Sequence, residues 1–367
     1  MIQKVCLDEL CISKSSNLAQ KDILENVGEY PVYGASGFIS NVNFFHQESE
    51  YIAVVKDGAG IGRTMLLPAK SSIIGTMQYL IPKNSVDSKY LYYAVKSMNL
   101  SKYFSGATIP HIYFKDYKKE LVPLYSRDKQ KLISSSLEKL EDIVAKKQQQ
   151  LSEYDQLIKS RFVEMFGDPI TNNKGWDVKD LNEITDVRDG THDSPKYVDI
   201  GYPFVTSKNL VNGNIDFSTC QLISKDDLEK INQRSFVDDG DILMPMIGTI
   251  GGAIIVKKDR DFAIKNVALI KFNKENSIVD RKFILNVLNS DSMNEFFNSI
   301  KKGGTQNFIS LGLIRKIPTI IPPLKLQNEF ALFVEQVDKL KFDLQKHNEL
   351  LAELLNKKMD EYFGGDM

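Results

Sequence analysis

Two stretches of the chain place apolar residues at alternating intervals of four and three. The first runs through Ile133, Leu137, Leu140, Val144, Leu151, Tyr154 and Ile158, with Lys147 interrupting it. The second runs through Phe330, Val334, Val337, Leu344, Leu351 and Leu355, with Lys341 and Asn348 interrupting it. That rhythm keeps a narrow apolar seam on one side of a helix, the pattern of helices that pack side by side in a coiled coil. Prolines stand upstream of both (Pro123; Pro322 and Pro323), and Gly167 and Gly364 stand where a left-handed C-terminal cap is wanted. Elsewhere the rhythm changes. Short β-prone runs at 51–55, 64–67 and 77–81, separated by Gly, Ser, Asn and Pro, and a helical stretch at 89–97 predict an α+β region over residues 1–125. Residues 170–322 repeat the style, with strands expected at 242–246, 253–256 and 267–272 and a helix from Arg281 to about Ser299.

The chain also repeats itself. Gln130 to Gly167, closing on Met-Phe-Gly-Asp, returns as Gln327 to Gly364, closing on Tyr-Phe-Gly-Gly, with no insertion or deletion. Upstream the correspondence is fainter. Leu121-Val122-Pro123-Leu124 answers Ile321-Pro322-Pro323-Leu324, and Gly106-Ala107-Thr108-Ile109 answers Gly304-Thr305-Gln306-Asn307. Gly58 to Gly62 answers Gly248 to Gly252, Tyr30-Pro31 answers Tyr202-Pro203, and Leu7-Asp8-Glu9-Leu10 answers Leu181-Asn182-Glu183-Ile184. Helices that match without gaps do a shared structural job, whereas domains that drift do two different ones. The duplication implies an internal pseudo-two-fold repeat, and molecules of that kind usually engage something two-fold. The domain between the helices lets the chain travel back, so the seams are expected to pair antiparallel. Some 32 residues at about 1.5 Å each give a rod of roughly 48 Å, more than one turn of duplex DNA at about 3.4 Å per base pair. Such a rod is a ruler. The plainer alternative is that the helices dimerise with another molecule or merely stiffen a two-domain scaffold that binds no DNA.

Composition narrows this picture little. With 367 residues, 42% hydrophobic and 26% charged, the chain can bury the cores of two or three domains. No apolar run reaches membrane-spanning length, and the first residues carry charge too early for a signal peptide. Three cysteines, Cys6, Cys11 and Cys220, lack metal-ligand spacing and fit a reduced compartment; the expected location is cytoplasmic. The 47 basic and 48 acidic residues leave no global signature of nucleic-acid binding, so DNA would be met through local patches or beside a more basic partner.

Candidate chemistry gathers in loops. Gly58-Ala59-Gly60-Ile61-Gly62-Arg63 follows a strand as the loop of a nucleotide-binding enzyme would, but it lacks both the dinucleotide spacing and the P-loop Lys-Ser/Thr ending. A glycine-dependent turn is the reading taken, with Lys56 and Arg63 flanking it as candidate phosphate contacts. Asp189-Gly190-Thr191-His192-Asp193-Ser194-Pro195-Lys196 holds histidine, aspartate and serine, yet sequence neighbours cannot form a triad, and no nucleophile elbow accompanies them. Thr191, His192 and Lys196 are instead candidates on an Asx- or Ser/Thr-turn near a binding surface. Lys301 and Lys302 precede a glycine turn and then Thr305, Gln306 and Asn307, a sequence suited to holding phosphate and reading base edges. The first-domain counterpart is 102–111, with Thr108 and His111 at its tips. Ser207, Lys208 and Asn209, their counterpart Ser36, and Gln78, Lys265 and Asn266 on the strands after the glycine turns complete the candidates. Ordinary solvated loops account for the same residues. His46 and His347 lack carboxylate or cysteine partners at ligand spacing and are read as structural. No paired carboxylates, zinc motif, Walker sequence or Asn-Pro-Pro-Tyr methyltransferase signature occurs, so no catalytic or metal site is expected.

Two divergent globular domains, each followed by a helix of matching length and apolar spacing ending in Phe-Gly, resemble the specificity subunit of type I restriction-modification systems. The likeness rests on Arg161-Phe162-Val163-Glu164-Met165-Phe166-Gly167-Asp168-Pro169 leading to Gly175-Trp176, on Asp189 to Pro195, and on Tyr202-Pro203-Phe204-Val205-Thr206-Ser207-Lys208-Asn209-Leu210. The resemblance implies an α+β chain with target recognition domains at 1–125 and 168–322, separated by an antiparallel coiled coil of two long helices at 126–167 and 323–367. Each domain would read one half of a split double-stranded DNA target. The helices would dock two methyltransferase subunits that carry S-adenosylmethionine, and a restriction and translocase subunit would join them. This chain would hold no cofactor of its own, and the methyltransferases would help clamp the duplex, which makes the near-neutral charge tolerable. The first domain departs from the family pattern: Tyr33-Gly34-Ala35-Ser36-Gly37 stands where a Thr-Ser-Lys-Asn segment is usual, as a different half-site would require.

Overall fold

The computed structural model describes residues 3–24, 26–106, 110–248, 251–272, 277–301 and 308–364, with the side chains of residues 300 and 301 left aside. The chain forms two units, one of Met1–Gln149 with Gln345–Met367, the other Gln150–Leu344.

In the first unit an antiparallel sheet runs, in lateral order, Cys11–Ser15, Met77–Pro82, Tyr51–Val55 and Thr64–Leu67. Its central strand, Tyr-Ile-Ala-Val-Val, is buried on both faces, which explains why it reads as an unbroken apolar run rather than an alternation. Period two still sorts its side chains: Ile52 and Val54 join the core beneath helix Ser88–Ser97, while Tyr51, Ala53 and Val55 pack with Ile73, Met77 and Tyr79 on the other side. A second sheet orders Gly37–Val42, Tyr30–Gly34 and Ser72–Ile73, the last pair parallel. Lys4–Cys6 pairs with Leu121–Pro123.

The second unit uses the same plan. Asp186–Asp189, Val267–Lys271, Ile242–Pro245 and Ile254–Ile255 make its four-stranded sheet, and Gln221–Ile223, Tyr197–Thr206 and Ala263–Lys265 make its three-stranded one, again with the last pair parallel. Asp177–Asp180 pairs with Pro318–Ile321 as Lys4–Cys6 does with its partner. Ile242, Met244, Ala268 and Ile270 face one core; Leu243, Val267 and Leu269 face another. The faint upstream repeat in the sequence is thus a repeated topology. One expected helix differs: the segment from Arg281 is two helices, Arg281–Leu288 and Asp291–Lys301. Asn289 separates them because its side chain is taken by the main chain of Ala253, accepting from its N–H at 2.8 Å and donating to its carbonyl at 2.9 Å.

Both seams form single helices, Arg127–Phe166 and Leu324–Phe363, each of 40 residues. Each unit holds the start of one and the end of the other. Ile133 and Leu137 share the first core with Phe363, Met359 and Leu355; Phe330, Val334 and Val337 share the second with Ile158, Phe162 and Phe166. Within each unit the helices therefore run antiparallel. The polar interruptions meet partners across the seam: Lys341 pairs with Asp155 in the second unit, and Asn348 donates to Gln148 at 3.4 Å in the first. Seam residues under the globular regions are buried, whereas Leu140, Val144, Leu151, Leu344 and Leu351 are only half-buried.

The helix ends are built differently. Gly167 is left-handed at φ +77°, its N–H bonding Val163 O at 2.8 Å, and Trp176 Nε1 donates to Phe166 O at 2.8 Å. Gly364 lies outside the left-handed region; there glycine is needed because a Cβ would stand 2.4 Å from Asp360 O. At the opposite ends, Gln130 and Gln327 are fully buried. Gln130 Nε2 donates to Tyr125 O at 2.8 Å while its Oε1 accepts from Asp87 N at 2.8 Å. Gln327 Nε2 donates to Pro322 O at 2.8 Å and Ile278 O at 3.2 Å while its Oε1 accepts from Asp280 N at 2.9 Å. Asp87 and Asp280 are themselves the N-caps of helices Ser88–Ser97 and Arg281–Leu288. One buried amide therefore ties the base of each long helix to the next helix of its globular region.

Candidate nucleic-acid interface

In the second unit, strand Asp186–Asp189 ends where the loop from Gly190 meets the turn after Ala263–Lys265. Gly190 is required there, since a Cβ would lie 2.3 Å from Ile264 O. The two backbones are stitched by Thr191 N to Ile264 O at 3.1 Å and Asn266 N to Thr191 O at 3.3 Å. Asn266 sits at φ +52°, a conformation that asparagine tolerates better than most side chains. On this frame His192 Nδ1 lies 2.8 Å from Asn266 Oδ1, and Nε2 lies 3.0 Å from Asp189 Oδ2. The other oxygen of buried Asp189 accepts from Arg234, at the end of helix Lys225–Ser235. Lys265 Nζ donates to Ser194, and Ser207 Oγ to Asn266 O at 3.3 Å. Thr191, His192, Ser207, Lys265 and Asn266 are thus brought together from three separate segments of the chain, with Lys196 and Lys208 exposed nearby in sequence. Ser194 is occupied by Lys265, and the partner of His192 is Asp189 rather than Asp193, so no hydrolase constellation forms.

Two candidates turn out to be internal. Asn209 is 4% exposed; its Oδ1 accepts from Thr206 N and Oγ1 at 2.8 and 2.9 Å, and its Nδ2 donates to Thr219 Oγ1 at 3.1 Å. Gln78 is 8% exposed, donating to Ser13 Oγ at 2.6 Å and accepting from Tyr117 Oη at 3.1 Å. Both amides are spent on holding the fold and neither can read a base edge.

In the first unit the glycine loop is a tight strand-to-strand turn. Gly58 and Gly62 have φ of +90° and +80°, and a Cβ on Gly62 would lie 2.7 Å from Ser101 N. The N–H groups of Gly58, Ile61, Gly62 and Arg63 all bond carbonyls, those of Pro110, Gly58, Val55 and Gly60. Amides so engaged cannot cradle a phosphate. The turn instead joins other candidates: His111 Nδ1 lies 2.7 Å from Asp57 Oδ1, Lys56 Nζ is 3.9 Å from Asp57 Oδ2, and exposed Arg63 donates to Ala35 O at 2.9 Å beside exposed Ser36. Thr108, Lys302, Thr305, Gln306 and Asn307 lie outside the described residues, as does the side chain of Lys301.

The family model described as the type I restriction modification DNA specificity domain matches residues 2–153 and 173–356. The chain belongs to that family. Its relatives include the specificity subunit of the type I restriction enzyme MjaVIII of Methanocaldococcus jannaschii, 23% identical over 342 residues, 88% of this chain and 80% of that one. The MjaIX specificity subunit of the same organism is 24% identical over 317 residues, 78% and 71% of the two chains. Among solved structures, the type I restriction-modification S subunit from M. genitalium gives a TM-score of 0.60 at 17% identity, covering 100% of this chain and 96% of that one. A chain from a type I R-M system solved for its complex assembly and conformational transition gives 0.58 at 14%, covering 100% and 98%. At these identities the likeness is one of fold.

Sequence reasoning passed over several residues of this specificity subunit. Asp189 was visible in a motif already singled out, but nothing in the sequence joins it to Arg234, 45 residues on. Asp57 carried no signal. Gln130 and Gln327 did carry one, as polar residues repeated at the same place just ahead of two apolar seams. Among the described residues, Cys6, Asp8 and Glu9 have ligand atoms within 4.8 Å of one another. Glu9 there accepts from Cys6 N at 3.1 Å and Asp8 pairs with Lys119 at 3.0 Å, the bonding of a helix start. No helix among the described residues is long and apolar enough to cross a membrane.

Proposed function

We propose that this specificity subunit reads a bipartite duplex target, one half-site per globular region, and leaves methylation and cleavage to partner subunits. What carries the reading is a single contrast. The two regions repeat one strand order, yet corresponding strand ends present different side chains: Thr191 and His192 come after Asp186–Asp189 where Asn17 and Leu18 come after Cys11–Ser15, and Lys265 and Asn266 stand where Ile74 and Gly75 follow Ser72–Ile73. A repeated frame with unlike tips suits a reader of two unlike half-sites. Residues 1–125 and 168–322 are the target recognition domains on this reading, and 126–167 and 323–367 the helical spacer.

The spacer is also the docking surface for two methyltransferase subunits carrying S-adenosylmethionine, with the restriction and translocase subunit joining them. Supporting this, Ile143 and Leu340 occupy one position of the repeat, Leu157 and Leu354 another, and all four are 41–51% exposed beside the seam. Two copies of one apolar patch, one per unit, fit two copies of one partner. Adenine-methylation sequencing of cells carrying the complex should yield one split motif. Changing Thr305, Gln306 or Asn307 should alter one half of it without disturbing assembly with the methyltransferase. A motif untouched by these changes removes those three residues from the interface, and an unsplit motif ends the bipartite reading.

A further inference from the structure

The side chains around Asp189 form one hydrogen-bonded chain, Arg234 to Asp189 to His192 to Asn266, drawn from a helix, a strand end and two loops. Its members differ sharply in exposure. The Asp189 side chain is 5% exposed, whereas those of His192 and Arg234 are 58% and 68% exposed. A buried carboxylate that spends both oxygens on two exposed groups fixes where those groups point. His192 has both ring nitrogens committed and has nothing left to offer a base. Asn266 is different: with its Oδ1 accepting from a ring that donates through both nitrogens, its Nδ2 is the end left to donate. Arg234 gives one contact to Asp189 and has further N–H groups facing water.

We propose that Asp189 and His192 are positioning residues of the second domain, that the Asn266 amide they orient donates to a base-edge acceptor of that domain's half-site, and that Arg234 holds the adjacent DNA phosphate. The inference rests on the second domain being a DNA reader. The two ends of the chain then divide the work. A donor held at a fixed angle selects bases that present an acceptor, while a guanidinium on phosphate sets register and is indifferent to sequence.

The test uses the full chain assembled with its methyltransferase partners and a randomised duplex DNA pool. If the wild-type complex selects no sequence, the reading of the protein fails and this inference falls with it; if it selects a split motif, the variants decide. Asn266→Gly, which suits the positive φ, should relax preference at one base position of one half-site. Asp189→Asn and His192→Phe should relax the same position, because they release the same amide. Arg234→Ala should weaken binding to all sequences alike, by about fivefold to tenfold, and lower the slope of log affinity against log salt by about 1. Arg234→Lys should restore the slope. An unchanged motif for Asn266→Gly, or an unchanged salt slope for Arg234→Ala, overturns the assignment. Because both residues are partly exposed, those two variants stay informative even if Asp189→Asn does not fold.

Discussion

Replacing Gln327 with alanine should loosen one helix without unfolding its neighbours. The side chain is fully buried and holds three main-chain groups, Asp280 N–H and the carbonyls of Pro322 and Ile278. Alanine leaves all three without that partner, and a buried polar group left unpaired costs about 1–3 kcal/mol. Two of the three bonds lie in partly exposed surroundings, so water recovers a share, and roughly 3 kcal/mol is the expected sum. The assay is amide hydrogen exchange read by mass spectrometry over 278–288, because a chain of two units has no single unfolding free energy. At about 1.4 kcal/mol per factor of ten, exchange there should quicken by roughly a hundredfold. Gln130→Ala should do the same to helix Ser88–Ser97 and leave 278–288 alone. Gln327→Glu sharpens the test. It puts a carboxylate oxygen against two carbonyls, which raises the carboxyl's folded pKa, so its penalty is full above that pKa and shrinks as pH falls and the acid can donate again. Acceleration below about threefold for Gln327→Ala, equivalent to roughly 0.6 kcal/mol, would refute the claim that the amide fastens helix to domain.

Two further outcomes follow from the same cores. Phe166 is fully buried with ring centroids 4.9 Å from Phe283, 5.2 Å from Phe162 and 5.5 Å from Phe330, so Phe166→Ala should destabilise the second unit by about 3–5 kcal/mol, measured by urea titration of Trp176 fluorescence. Leu137→Asp and Val334→Asp each bury a charge, at 0% and 5% exposure, and should cost more than about 4 kcal/mol and abolish assembly on size-exclusion chromatography; a normal elution profile would contradict the packing.

Some of this architecture is legible in the sequence because it is periodic. The four-three spacing locates both long helices, and an ungapped repeat of 38 residues, Gln130 to Gly167 against Gln327 to Gly364, announces the duplication. The fold of each domain is legible only as a style, since strand order depends on pairings such as Cys11–Ser15 with Met77–Pro82 that lie far apart in the chain. The polar loops are legible as candidates and no further. Gln78 and Lys265 both stand on strands after the glycine turns, yet one faces a tyrosine and a serine in the interior and the other the exposed loop at Ser194, and alternation cannot tell them apart where a sheet is covered on both faces. The break at Asn289 was hidden for a related reason, because the partner that draws its side chain out of the helix is Ala253, 36 residues away.

A chain with 47 basic and 48 acidic residues that reads DNA must separate selectivity from affinity. Its candidate contacts do so locally. Arg234 bonds Asp189 through Nη2 alone and keeps other N–H groups facing water, but Lys56 faces Asp57, and Arg188 spends Nε and Nη2 on Asp186. A cation paired in this way gains little when it meets phosphate, since it exchanges one anion for another and releases fewer counterions. Sequence-independent binding by this chain alone is therefore expected to be weak. On the proposed reading, that weakness is useful: the methyltransferase subunits supply the electrostatic grip, and a base-edge contact from a side chain such as Asn266 tips the balance between one sequence and another. The pairing with carboxylates also orients the side chains before DNA arrives. A subunit that held the duplex strongly by itself would bind everywhere, and the positional information in its loops would count for less.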